Sequence, residues 1–154
     1  MIKEDIIKLY NAIQQEKSKG SVKFRYLLLK NEGVIKQEIN TLNAIEKDIE
    51  KIIDPFTRER EKLIKKLGTL DSNKGVYSIS KAEKIKEFNE KIKPITNTYK
   101  DLIEEHDRKY KEYLEMLKED ATDNFKFAEI KIEDLPEDMK TESLQILMKL
   151  GILK

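Results

Sequence analysis

The chain has 154 residues, room for one domain and not for two of ordinary size. Charged residues make up 40% of it and hydrophobic ones 38%, with only five Gly and three Pro, a balance that favours long amphipathic helices over a turn-rich globule. With no Cys, disulfides, thiolate nucleophiles, Fe–S clusters and Cys-ligated zinc are excluded.

The opening Met1-Ile2-Lys3-Glu4-Asp5 has acids where a signal peptide needs a basic region and an apolar run. No stretch approaches the roughly 18 consecutive apolar residues of a spanning helix, so a protein neither exported nor embedded in a membrane is expected. Ile2, Ile6, Leu9, Tyr10 and Ile13 then recur at three- and four-residue spacings, which predicts a helix over 3–16. Lys17-Ser18-Lys19-Gly20-Ser21 breaks it. Residues 22–26 alternate as a strand would, but Leu27-Leu28-Leu29 and the residues after them read as helix, with Ser21 as its N-cap.

From there Leu28, Ile35, Leu42, Ile49, Phe56, Leu63 and Leu70 repeat every seven residues, with Ile39, Ile45, Ile52 and Leu67 between them. This is a coiled-coil repeat, and it predicts a first long helix over 21–67. The Gly, Asn, Asp and Ser content of 68–80 predicts a tip loop. A second repeat, Ile85, Ile92, Tyr99, His106 and Tyr113 with Phe88, Ile95, Leu102 and Met116, predicts a second long helix over 81–119. Pro55 lies thirteen residues before Gly68 and Pro94 thirteen after Lys81, at matched heights in an antiparallel hairpin, where each should kink or interrupt its helix. Beyond Asp120, residues 125–132 read as an extended segment. A last helix over 141–150, with Leu144, Leu147, Met148 and Leu150 on its apolar side, ends at Gly151. The expected fold is mainly α: a single domain built on a long, kinked, coiled-coil-like antiparallel hairpin, with a short extended segment and small terminal helices.

Net charge is +1, but residues 57–93 hold eleven bases against six acids and residues 101–142 seven against fifteen. The first excess surrounds Arg58, Arg60, Lys62, Lys65 and Lys66, which are the candidate contacts for nucleic acid. Interleaved Glu59, Glu61 and Glu83 and the lack of a groove-reading element argue against nucleic acid as a partner. The one His stands in Glu104-Glu105-His106-Asp107, where a Glu-x-x-His pair would need an acid at Ile103. His106 therefore reads as a seam residue, and no nucleotide-binding or zinc-protease spacing occurs. Neither catalysis, a metal nor a cofactor is expected.

A strand in a helical chain must find an edge for its backbone groups. The segment 125–132 is thus the candidate partner-binding element, through Phe125, Phe127, Ile130 and Ile132. Its possible edges are residues 22–29, its own copy in a dimer, or another protein. Residues that fall off the seam (Ile53, Ile64, Ile103, Tyr110, Leu114) point to a homo-oligomer, with a dimer expected.

Lys23-Phe24-Arg25-Tyr26-Leu27-Leu28-Leu29-Lys30-Asn31 and Ile130-Lys131-Ile132-Glu133-Asp134-Leu135-Pro136-Glu137-Asp138 resemble a family of small proteins from tailed phages and prophages of Gram-positive bacteria, of unassigned function. The resemblance implies a helical first stretch and supplies no catalytic residues. With the helical scaffold, the expected protein is a non-enzymatic, phage-type interaction protein of the host cytoplasm or the virion, in an assembly or accessory structural role. A small inhibitor of a host enzyme or defence complex is the alternative, and a nucleic-acid binder acting through the basic tip is another.

Overall fold

The structure, a computed structural model, describes residues 1–154 apart from the side chain of Asp123. It is mainly helical: α1 (Lys3–Glu16), α2 (Val22–Leu67), a two-stranded antiparallel hairpin of β1 (Thr69–Asp71) and β2 (Val76–Ser78), α3 (Ala82–Thr98), α4 (Lys100–Met116) and α5 (Thr141–Lys149). The residues gather into two compact units, one of Met1–Ile45 with Glu112–Lys154 and one of Glu46–Lys111.

The first unit has a closed apolar core. Ile6, Leu9 and Ile13 from α1 meet Phe24, Leu28, Ile35 and Ile39 from α2, with Ala121, Ile130, Ile146, Leu147 and Ile152. Each fully buried Leu, Ile or Phe side chain contributes about 1.5–3 kcal/mol. Ser21 caps α2 as its sequence predicts, its Oγ accepting the Phe24 amide at 3.1 Å. This settles residues 22–29 as helix. The preceding Gly20 adopts φ +70°, and a Cβ there would meet Phe24 and Pro136 at 3.1 and 3.3 Å.

At the start of α1, amides that have no partner within the helix reach past the end of α4: Lys3 donates to the Glu119 carbonyl and Glu4 to that of Leu117. α5 closes with Gly151 at φ +66°, its amide bonded to Met148 and the Ile152 amide to Leu147. That pattern is a Schellman cap, which satisfies carbonyls left open by the helix end. α5 buries Ser143, Ile146 and Leu147 while Met148 is exposed, so its core face lies to one side of the one the apolar count selects.

The second unit is a helical hairpin. Of the sevenfold positions of α2 in this unit Ile49 and Leu63 are buried, as is the intervening Leu67, while Ile52 and Phe56 are half-buried. Phe56 meets Tyr99 edge to face, with ring centroids 6.4 Å apart. The contact joins the residue after Pro55 to one five residues, or about 7.5 Å of helix, past Pro94, so it does not set the two prolines at the same height.

α2 passes through Pro55 without a break. The second predicted helix is divided, with Tyr99 separating α3 from α4 at φ −102° and ψ 17°. Pro94 removes one amide, and Thr98 Oγ1 turns back to the Pro94 carbonyl at 2.9 Å, an i−4 bond that weakens the ladder at this turn. The tip is not the plain loop expected over 68–80, because its ends pair as β1 and β2. Asp71 Oδ1 accepts the Asn73 and Lys74 amides, and Gly75 at φ +66° supplies the left-handed turn. Leu70, the last of the sevenfold repeat, therefore lies in a strand and is exposed.

Candidate interaction surfaces

The extended segment is anchored within the chain. Ile130 donates to the Ile152 carbonyl at 2.8 Å and accepts from Lys154 at 2.9 Å, while Ile132 donates to Lys154 at 3.1 Å. Asn31, fully buried in α2, completes the hold: its Oδ1 accepts the Ala128 amide at 2.7 Å and its Nδ2 donates to the Ala128 carbonyl at 3.0 Å. The side-chain amide here takes the place of a neighbouring strand.

None of the three edges expected for residues 125–132 is needed, since the last three residues of the chain supply one. Only an isolated bridge forms, between Ile130 and Leu153. The expected contact residues divide accordingly. Ile130 is 0% exposed and belongs to the core, Phe125 and Phe127 stack on one another and pack against it, and Ile132 alone is open at 66%. As a patch, the four predicted residues are corrected to one.

Two carboxylates that periodicity cannot single out organise the pairing of α1 with α5. Asp5 and Glu16 are each 1% exposed. Asp5 receives Lys149 of the last turn of α5 at 2.6 Å and the Ile2 amide at 3.1 Å. Glu16 receives the Lys140 amide, at the N-cap of α5, at 3.1 Å, and Lys19 at 3.0 Å. An antiparallel helix pair is thereby clamped at both ends.

Burial is the strongest single influence on both acids and opposes their ionisation, yet the donors prevail. Asp5 is held below its ordinary pKa by Lys149 and the Ile2 amide, and Glu16 by Lys19 and the Lys140 amide. The Ser143 hydroxyl finds no partner at strict hydrogen-bond geometry, but it lies near enough to Glu16 to favour the anion as well. Between the two helices runs an open groove of about 460 Å³ lined by Asp5, Lys8, Asn11, Gln15, Gln145 and Lys149, among others. Its carboxylates and amides are polar, and Asp5 is already occupied by Lys149.

In the second unit the basic residues are exposed but not gathered. Arg58, Lys62, Lys65 and Lys66 fall on one face of α2 at i, i+4, i+7 and i+8, whereas Arg60 projects to the other and borders an apolar recess with Ile64, Tyr77, Ile79, Ile85 and Phe88. Asp54 stands 3.9 Å from Arg58 and Glu59 2.8 Å from Lys62, so part of the positive face is neutralised. His106 is half-buried, stacked on Tyr110 of its own helix with centroids 6.0 Å apart and bonded to Asp107 at 3.0 Å. Among the described residues no group of three or more His, Asp or Glu is placed to hold a metal ion. Likewise, no helix among them is long and apolar enough to cross a membrane. Comparison of the chain with protein-family models, with curated proteins and with solved structures finds no match.

Proposed function

We propose that this chain is a non-enzymatic helical interaction protein that self-associates, in a phage assembly or accessory structural role. One observation carries the reading: the second unit fully buries few of its apolar residues and leaves several exposed. Among its described residues only Ile49, Leu63 and Leu67 are buried and α3 buries none, while Leu70, Val76, Tyr77, Ile85 and Tyr110 are exposed. A unit with this much exposed apolar surface gains free energy from a second surface, and a further copy of the same hairpin offers one of matching period. The resemblance to phage proteins supplies the setting.

A surface is all that the alternative reading, an inhibitor of a host enzyme, requires, and no observation favours it over assembly. Binding of nucleic acid by the basic tip is disfavoured by Asp54 and Glu59 beside Arg58 and Lys62. Light scattering across micromolar concentrations tests the proposal. The expected result is a mass of two or more chains, falling toward one chain when Ile85 and Tyr110 are both replaced by Lys. A single-chain mass throughout overturns it.

A further inference from the structure

A second uncovered face lies in the first unit, on the opening turns of α2, and its geometry points to a different occupant. Val22, Tyr26 and Leu29 are 82%, 63% and 49% exposed. Their spacing of four then three residues puts them on one line of the helix, and Gly33 continues that line four residues on, with open space where a Cβ would stand. The opposite face of the same turns is fixed, since Phe24, Leu28, Asn31 and Ile35 are buried. The line is therefore presented by an anchored helix.

We infer that this line is a docking seam for an acidic amphipathic helix of another protein. The spacing is that of the a and d positions of a coiled coil, a stripe too narrow for the wide apolar face that lies on a membrane. Gly33 lets a partner backbone come close at one end. The borders of the seam set the partner's charge: Arg25 and Lys30 flank it and Lys36 closes it at the next turn, against Glu32 alone. Lys23, also on a border, is occupied by Asp134 at 2.7 Å, and Glu32 accepts from Gln14 at 2.7 Å. Arg25 spends its Nε on the Lys17 carbonyl at 3.0 Å.

Pairing this seam with itself in a second copy would set Arg25 and Lys30 against their own counterparts, a like-charge penalty that selects against it. Nor does the exposed apolar pair of α4 answer it. Tyr110 and Leu114 of α4 are bordered by Lys111 and Lys118 as well as by Asp107. A helix with Glu or Asp on its borders, carried by a different protein, fits both the apolar line and its cationic edges. The inference rests on the reading of the chain as an interaction protein, but it uses a surface separate from the one proposed for self-association.

The test is fluorescence anisotropy of the full chain with two synthetic helical peptides that share a Leu seam, one with Glu and one with Lys on its borders, and with vesicles of anionic lipid. The glutamate peptide should bind at least roughly tenfold more tightly than the lysine peptide, a margin within the reach of a few border charges. High salt should narrow that margin. Tyr26→Asp should abolish binding, and the pair Arg25→Glu with Lys30→Glu should reverse the preference, while light scattering shows the same mass as for the unaltered chain. Equal affinity for the two peptides, unchanged binding by Tyr26→Asp, or tighter binding to the vesicles would each overturn the inference. Loss of self-association with the peptide preference intact would instead count only against the homo-oligomer.

Discussion

The two units of this chain are built from the same helical materials and held by different forces. In the first, thirteen buried apolar residues form one cluster, and of the polar side chains taken inside with them Asp5, Glu16 and Asn31 meet named partners, while the Ser143 hydroxyl lies beside Glu16. In the second, the heptad residues are mostly half-covered, and the ion pairs run along exposed helix faces, as in Asp48–Lys51, Glu59–Lys62 and Glu87 with Lys84 and Lys91. Exposed pairs of this kind contribute about 0–1 kcal/mol each, so charge cannot replace the missing core. A periodic sequence ensures that helices form, but burial depends on how many other elements arrive to cover them. The first unit has α1, α5 and the segment 121–132 for this purpose; the second has only the short β-hairpin of residues 69–78.

The comparison is broken most forcibly by truncating one isoleucine in each unit. Ile35→Ala removes a fully buried side chain and should cost about 2–5 kcal/mol, whereas Ile85→Ala, at an exposed site, should cost less than about 1 kcal/mol in a dilute monomer. Urea denaturation followed by circular dichroism measures both, and similar costs would erase the distinction. Next in size is Asn31→Ala, which leaves the amide and carbonyl of Ala128 without their partners. Each orphaned group costs about 1–3 kcal/mol if it stays dry. The Ala128 amide should also exchange with solvent faster while the hairpin of the second unit is undisturbed, as read by site-resolved hydrogen exchange.

Which of these features the sequence discloses depends on the patterns that periodicity can register. A sevenfold repeat sustained from Leu28 to Leu63 is hard to produce except by a helix seam, and Ser21 and Gly151 mark helix ends by chemistry that needs no tertiary context. The buried Asp5, Glu16 and Asn31 escape because a pattern of apolar spacings treats every polar residue as solvated. The tip hairpin is half legible: Asp71-Ser72-Asn73-Lys74-Gly75 is turn chemistry, but three-residue strands are too short for an alternation to show. The partner of residues 130–132 is the hardest to foresee, since residues 152–154 carry no signal beyond following a glycine that reverses the chain. An extended segment does need an edge, and here the chain's own end provides it.

A smaller contrast concerns pH and salt. Asp5 and Glu16 have folded pKa values below their ordinary ones, so they bind protons less readily when folded. Their contribution is complete above about pH 4–5 and is lost as pH falls through the lower folded values. Glu87, held down to about 2 by Lys91 and Lys84, has the same sign and the same acid window. Salt separates them. At 1 M the screening length shrinks to about 3 Å, which weakens the exposed Glu87 pairs and barely touches the buried clamp. Thermal melts at pH 7 should therefore show Glu87→Gln losing its small effect in high salt, and Glu16→Gln keeping its larger one.

Hydrogen exchange measured by mass spectrometry at low and high protein concentration bears most directly on the central claim, that the first unit is complete within one chain and the second is completed by association. The account predicts that amides of α1, α5 and residues 24–42 are equally protected at both concentrations, while those of α3 and the hairpin 69–78 gain protection as the protein is concentrated. Protection of α3 in the dilute monomer as strong as that of α1, with no response to concentration, would contradict it.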